Sequence, residues 1–125
     1  MKFMMIVKHK EGQGFPPKEL MDAIANLAAD AAKAGTMLGS GGLLPTAAGA
    51  RVRLSGGEIA VIDGPFTEAK EIVGGYAQFE VGSKQEAVRG AVEFMELHKK
   101  YWPGWEGETE VRQMMEPGVD CGPQK

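Results

Sequence analysis

Asp63-Gly64-Pro65-Phe66-Thr67-Glu68-Ala69-Lys70-Glu71, leading into Ile72-Val73-Gly74-Gly75-Tyr76, holds the densest run of ionisable groups in the chain and lies between two apolar strand patterns. Gly64 permits unusual φ and Pro65 presets a turn, so the run begins as a connection. Before it, Glu58-Ile59-Ala60-Val61-Ile62 reads as a strand. Its partner is reached through the tight Gly56-Gly57 turn: Ala50, Val52 and Leu54 alternate with Arg51 and Arg53, the pattern of a half-exposed strand. After it, Gly75 to Val81 alternates again, with Ala77, Phe79 and Val81 on one face and Tyr76, Gln78 and Glu80 on the other.

Upstream, residues 2–9 are apolar on both faces, Phe3, Met5 and Val7 against Met4 and Ile6, which places this strand in the middle of a sheet covered on both sides. Glu11-Gly12-Gln13-Gly14 reads as a flexible loop. Pro16-Pro17 opens a helix over 17–34 with an apolar stripe of Leu20, Ile24, Leu27, Ala28 and Ala31, and Gly35 stands where a left-handed cap is expected. A glycine-broken strand begins at Thr36, and Thr46-Ala47-Ala48-Gly49 is a small-residue loop. Downstream, Ser83 and Glu86 form a capping box for a second helix whose stripe is Ala87, Val88, Ala91, Val92 and Met95. Gly90 within it implies close packing, since glycine costs about 1 kcal/mol against alanine there. His98-Lys99-Lys100 suits the negative end of the helix dipole. Trp102 and Trp105 flank a Pro103-Gly104 turn, and at least one of these rings is expected to be largely buried. Thr109 to Met115 is the last strand, and residues 117–125 read as a frayed tail after a domain covering 1–116.

Strand, helix, strand, hairpin, strand, helix, strand is the order of an α+β fold of ferredoxin-like type: an antiparallel sheet with both helices on one face. The other face carries Tyr76 and Gln78 with Met114, Met4 and Ile6. A half-apolar face of that size calls for a partner.

The length of 125 residues, 43% apolar content and 25% charged residues fit one soluble domain. A net charge of −3 argues against a binder of nucleic-acid backbone, which needs a basic face. No apolar run reaches the roughly 20 residues that span a bilayer, and the apolar start is too short for a signal-peptide core. The single cysteine, Cys121, suits a reducing cytoplasm.

Asp63-Gly64-Pro65-Phe66, followed by Thr67 to Glu71 and Gly74-Gly75-Tyr76, resembles the DGPF subgroup of the YCII-related proteins over roughly residues 1–115. The resemblance implies a homodimer in which two sheets close face to face into a dimeric α+β barrel. It also implies an association with extracytoplasmic-function sigma factors, and so a regulatory protein partner as an alternative role. Relatives for which catalysis has been proposed pair a histidine on the first helix with an aspartate after the second strand. Here the helix 17–34 has no histidine and residues 36–57 have no aspartate.

The expected activity is binding of a small polar or anionic organic molecule in the barrel cleft, by Asp63, Gly64, Pro65, Phe66, Glu68, Lys70, Tyr76 and Arg112. Asp63 has two readings: a carboxylate that accepts backbone N–H groups as in an Asx-turn, or a group that contacts the ligand. Glu68, Lys70 and Glu71 read either as a solvated loop or as a charged rim where Lys70 attracts an anion. Tyr76 either fills the interface or donates from its phenol. An enzyme doing proton transfer or elimination is the further alternative, with Asp63 as base and Tyr76 or His9 as acid. His9 and His98 lie too far apart in sequence to found a metal cluster, and no glycine pattern leads into a helix as a nucleotide loop does, so neither metal nor cofactor is expected.

Overall fold

Phe3, Met5 and Val7 are buried and the residues between them are only partly so, which makes the first strand the centre of the molecule. In a computed structural model, described for residues 1–117, this strand is β1 (Lys2–His9). It is followed by α1 (Lys18–Lys33), β2 (Met37–Gly42), a 3-10 turn (Thr46–Ala48), β3 (Ala50–Ser55), β4 (Glu58–Asp63), β5 (Ile72–Glu80), α2 (Lys84–Tyr101) and β6 (Gly107–Gln113). The expected tail from residue 118 onward, with Cys121, lies outside the described residues.

β1 pairs antiparallel with β5 on one side and β6 on the other, and β2 adds to β5, giving the order β2-β5-β1-β6. Leaving out the hairpin, the spatial order of the four sheet strands is second, third, first, fourth, the ferredoxin-like arrangement. Both helices pack against the same side, where Met5, Val7, Ala77, Phe79 and Ala91 form the core. Leu20 of α1 and Ala87 of α2 are buried with them. Each large apolar side chain enclosed there contributes about 1.5–3 kcal/mol relative to exposure. Pro17 stands at the N-cap of α1, and Gly35, at φ +78°, takes the left-handed position after its end.

Several local expectations change. β5 begins three residues earlier than its alternation indicates, at Ile72, because the end of β1 continues the ladder through a bulge: Lys8 pairs with Val73 and His9 with Ile72. β6 runs from Gly107 to Gln113 because the same end of β1 pairs with it from His9 onward. The hairpin β3–β4 is a separate two-stranded sheet. Val52 faces Val61 and Leu54 faces Ile59, so its apolar side is continuous, yet these side chains are 68–71% exposed.

The buried line of α2 is Ala87, Ala91 and His98, rotated from the expected stripe, and Val88 and Val92 are exposed. Ser83 caps this helix by accepting from the Glu86 N–H at 3.2 Å, while the Glu86 carboxylate accepts from Gly82 N–H at 3.4 Å. A Cβ on Gly90 would meet Phe79 at 3.8 Å, ordinary contact, so nothing in the packing demands glycine there. Trp102 and Trp105 are both of intermediate exposure with their rings stacked at 5.8 Å, and Trp105 is the one that packs against the core. Glu11 to Gly14 is not a free loop, since Gln13 donates to the Lys10 and Glu106 carbonyls and accepts from the Glu106 N–H, each at 2.9 Å.

Candidate functional site

The signature turn is held from two distant parts of the chain. Glu11 accepts from the N–H and the hydroxyl of Thr46, both at 2.6 Å, and the Thr46 hydroxyl oxygen in turn accepts from Phe66 N–H at 3.0 Å. Gly64 N–H donates to the Gly49 carbonyl at 2.9 Å. The Gly64 backbone lies so close to this 3-10 turn that a Cβ would overlap the Thr46 carbonyl oxygen, so glycine is needed for close approach. The Thr46 hydroxyl and N–H hold the Glu11 carboxyl below the usual carboxylate range.

Arg51 on β3 covers the outer side of the turn. Its guanidinium lies 3.9 Å from the centre of the Phe66 ring and pairs with Glu68. Glu68 titrates below its ordinary value, first through its own backbone N–H and then through Arg51. Sequence reasoning passed over Glu11, Thr46 and Arg51 as ligands of this turn. Only the pairing of β3 with β4 offered a signal, by carrying Arg51 beside the end of β4; the Glu11–Thr46 contact spans 35 positions without a local pattern.

Asp63 is placed differently from the Asx-turn expectation. It ends β4 opposite Ala50, is exposed, and its carboxylate accepts no hydrogen bond among the described residues. Backbone–backbone and Thr46 bonds shape the turn instead. Pro65, joined to Gly64 by a cis bond, and Lys70 are exposed; Phe66 is half-buried.

Tyr76 points to the sheet face opposite the helices, between Ile6 of β1 and Gly41 of β2. Its ring lies across Gly41, where a Cβ would come within 3.1 Å of the phenol oxygen, and the residue remains 39% exposed. The same face carries Met4, Gln78 and an ion-paired row at the β6 edge. There Glu110 accepts from Lys8 Nζ at 2.6 Å and from Arg112 Nε at 2.6 Å. Arg112 is thus engaged on its own strand, with β1 between it and Tyr76.

His9 lies on the other side. Its Nδ1 is 2.9 Å from the Lys10 carbonyl, its ring covers Gly74, and Trp105 stands 5.9 Å away, centre to centre. Beyond Trp105 is His98, ring centres 4.5 Å apart, 7% exposed, with Nδ1 3.0 Å from the Phe94 carbonyl. Burial pushes the His98 pKa below its ordinary value against the raising effect of the Phe94 carbonyl, and His9 pushes it in the same downward direction.

The site residues therefore separate into groups. Gly64, Phe66 and Glu68 belong to one braced turn, Tyr76 and Arg112 share the open face, and His9 stands toward the helix side. No hydrogen bond or ion pair among the described residues joins Asp63 to Tyr76, His9 or Arg112, and no three His, Cys, Asp or Glu side chains cluster as metal ligands.

This open antiparallel sheet, backed by two helices and bordered by the braced turn, is matched by a family model, the YCII-related domain, over residues 1–94. The chain belongs to the YCII-related family. The match covers the fold from β1 to the middle of α2 and includes the whole signature turn, while β6 follows it. The α+β, ferredoxin-like architecture is that of a family of dimeric α+β barrels. No curated protein matches the chain. Among the described residues no helix is long and apolar enough to cross a membrane.

Proposed function

We propose that the protein is a cytoplasmic homodimer of the DGPF subgroup, closed through the open sheet face, that binds a small polar or anionic organic molecule in the enclosed cleft. The observation that carries this reading is a set of apolar side chains without cover on this side: the exposed Tyr76 beside the half-buried Met4 and Ile6 on the sheet, and the exposed Val52, Leu54, Ile59 and Val61 on the hairpin. A two-stranded hairpin is marginal in water by itself, and an apolar patch of this extent marks an interaction surface. The subgroup placement rests on Asp63 to Phe66 with Gly74-Gly75-Tyr76, and the compartment on the single cysteine.

Within the cleft, the Tyr76 phenol supplies a donor and acceptor from a strand fixed on both sides. Lys8 and Arg112 both pair with Glu110, whose one charge offsets only one of theirs. Lys70, which is exposed and forms no ion pair among the described residues, adds a further positive charge for an anion. Light scattering on the eluting protein at micromolar concentration should give twice the 13.4 kDa chain mass. Native mass spectrometry should then show a small molecule retained by the wild type and weakened in Tyr76→Phe. A monomer across the concentration range removes the cleft and this reading with it.

A further inference from the structure

An open pocket of about 390 Å³ lies at the C-terminal end of α2, walled by Met95, Trp102 and Trp105, with the buried His98 at its base and the exposed Lys99 and Glu106 on its rim. Small-molecule sites run from about 300 to 1,000 Å³ and share this make-up, apolar and aromatic walls with a few polar groups converging on them. The two indoles supply most of the wall, stacked at 5.8 Å with their planes 24° apart. Met95 is held in place by the Thr109 hydroxyl, 3.1 Å from its sulfur. The rim is fixed as well, since Gln13 bonds both the N–H and the carbonyl of Glu106 at 2.9 Å.

His98 is the group in this wall that packing alone does not use up. It is 7% exposed, with the Phe94 and Trp105 rings 4.6 and 4.5 Å from its imidazole, centre to centre. Its Nδ1 is 3.0 Å from the Phe94 carbonyl. A carbonyl only accepts, so Nδ1 carries the proton and Nε2 holds a lone pair. Burial lowers the His98 pKa, which keeps that lone pair unprotonated at neutral pH. Among the described residues Nε2 accepts no hydrogen bond, yet no side-chain nitrogen or oxygen is both sealed from solvent and unpartnered. Nε2 therefore reaches open space, and the space that His98 borders is this pocket.

We propose that the pocket binds a small, uncharged, planar aromatic molecule whose ring N–H or O–H donates to His98 Nε2. The flat walls of Trp102 and Trp105 favour an aromatic ring by stacking. A neutral imidazole between apolar walls repays a donor and penalises a charge left without a counterpart. Lys99 and Glu106 carry opposite signs, so the rim adds no net field that would select an ion. The pocket is on the helix side of the sheet, so it is independent of the cleft formed at the Tyr76 face.

Indole is the probe, because its one polar group is a ring N–H, and N-methylindole is the same shape without the donor. Titrated into the full chain and followed by nuclear magnetic resonance, indole should saturate with a dissociation constant below about 1 mM. Backbone shifts should centre on Lys99, Gly104 and Trp105, and the His98 Nε2 resonance should move as its lone pair becomes bonded. N-Methylindole should bind about tenfold more weakly, the value of one such hydrogen bond. In His98→Phe the two ligands should bind alike; if that variant does not fold, the wild-type comparison still decides. Trp102→Leu should weaken both ligands together. Absence of saturation, equal affinity of the two ligands for the wild type, or an unmoved Nε2 resonance overturns the proposal. Shifts centred on Tyr76 overturn it too, because the ligand then lies on the opposite face.

Discussion

Gly64 and Gly90 show how the same residue type is required at one place and replaceable at another. A side chain at Gly64 would collide with the Thr46 carbonyl, a backbone atom that cannot swing aside. Gly64→Ala should lower unfolding stability by about 2 kcal/mol or more, in the range of overpacked sites. Gly90→Ala should raise it by up to about 1 kcal/mol, because alanine gains helix propensity and meets Phe79 only at contact distance. Urea denaturation measures both. His98 makes a pH prediction. Its folded pKa is lowered by burial from the usual 6.5, so the unfolded chain binds a proton that the folded one refuses. Its stabilising contribution is full above the unfolded value and is lost as pH falls through the folded one. The urea midpoint should drop on acidification below about pH 6.5, and His98→Phe should flatten that drop. Carboxylates held low, such as Glu11, act in a separate window that begins near their ordinary 4.5.

The Trp102–Trp105 turn closes the end of α2. Trp105 touches His9, His98 and Trp102 at once, and Gly107 has no side chain to occupy the space its ring fills. Trp102 stacks on Trp105 from outside and joins the turn through its carbonyl, which accepts from Trp105 N–H at 3.1 Å. Trp105→Ala should therefore cost more than Trp102→Ala, approaching the ~3 kcal/mol low end for buried aromatics. Equal and small losses in urea midpoints would show that the turn does not pack. α2 as an element differs from its apparent stripe for a related reason. Its end packs through His98 on the Trp105 ring, and the face that meets the core there leaves Val88 and Val92 exposed. Periodicity locates an apolar arc on a helix, but it does not say which edge of that arc meets the sheet.

Across the whole molecule, the sheet divides two environments. One side is covered by α1 and α2; the other carries the exposed Tyr76 beside half-buried Ile6 and Met4, with the apolar hairpin free of that core. If the proposed dimer covers both the face and the hairpin, Ile59→Glu with Val61→Glu should lower the mass by light scattering. Each chain should keep its far-ultraviolet circular dichroism, because these side chains support nothing in their own core. Unchanged mass with a retained dimer would place the hairpin outside the interface.

Strand and helix identities, the cap at Ser83, the turn at Gly56-Gly57 and the α+β order were determined by the sequence, because alternation, helical spacing and turn chemistry are local properties. The family was legible for the same reason: Asp63 to Glu71 with Gly74-Gly75-Tyr76 is a contiguous motif, and the matched region includes it. The arrangement around that motif was not. Glu11 reaches Thr46 across 35 positions and Gln13 reaches Glu106 across 93. His9 and Tyr76 are separated by the sheet, and Arg112 is taken by Glu110. Asp63, the apparent keystone, is an exposed strand end, while the turn is held by a glutamate and a threonine that no local pattern marks. Those outcomes depend on which strands pair and in what register, a balance of burial and backbone bonding over the whole chain that only the tertiary structure settles.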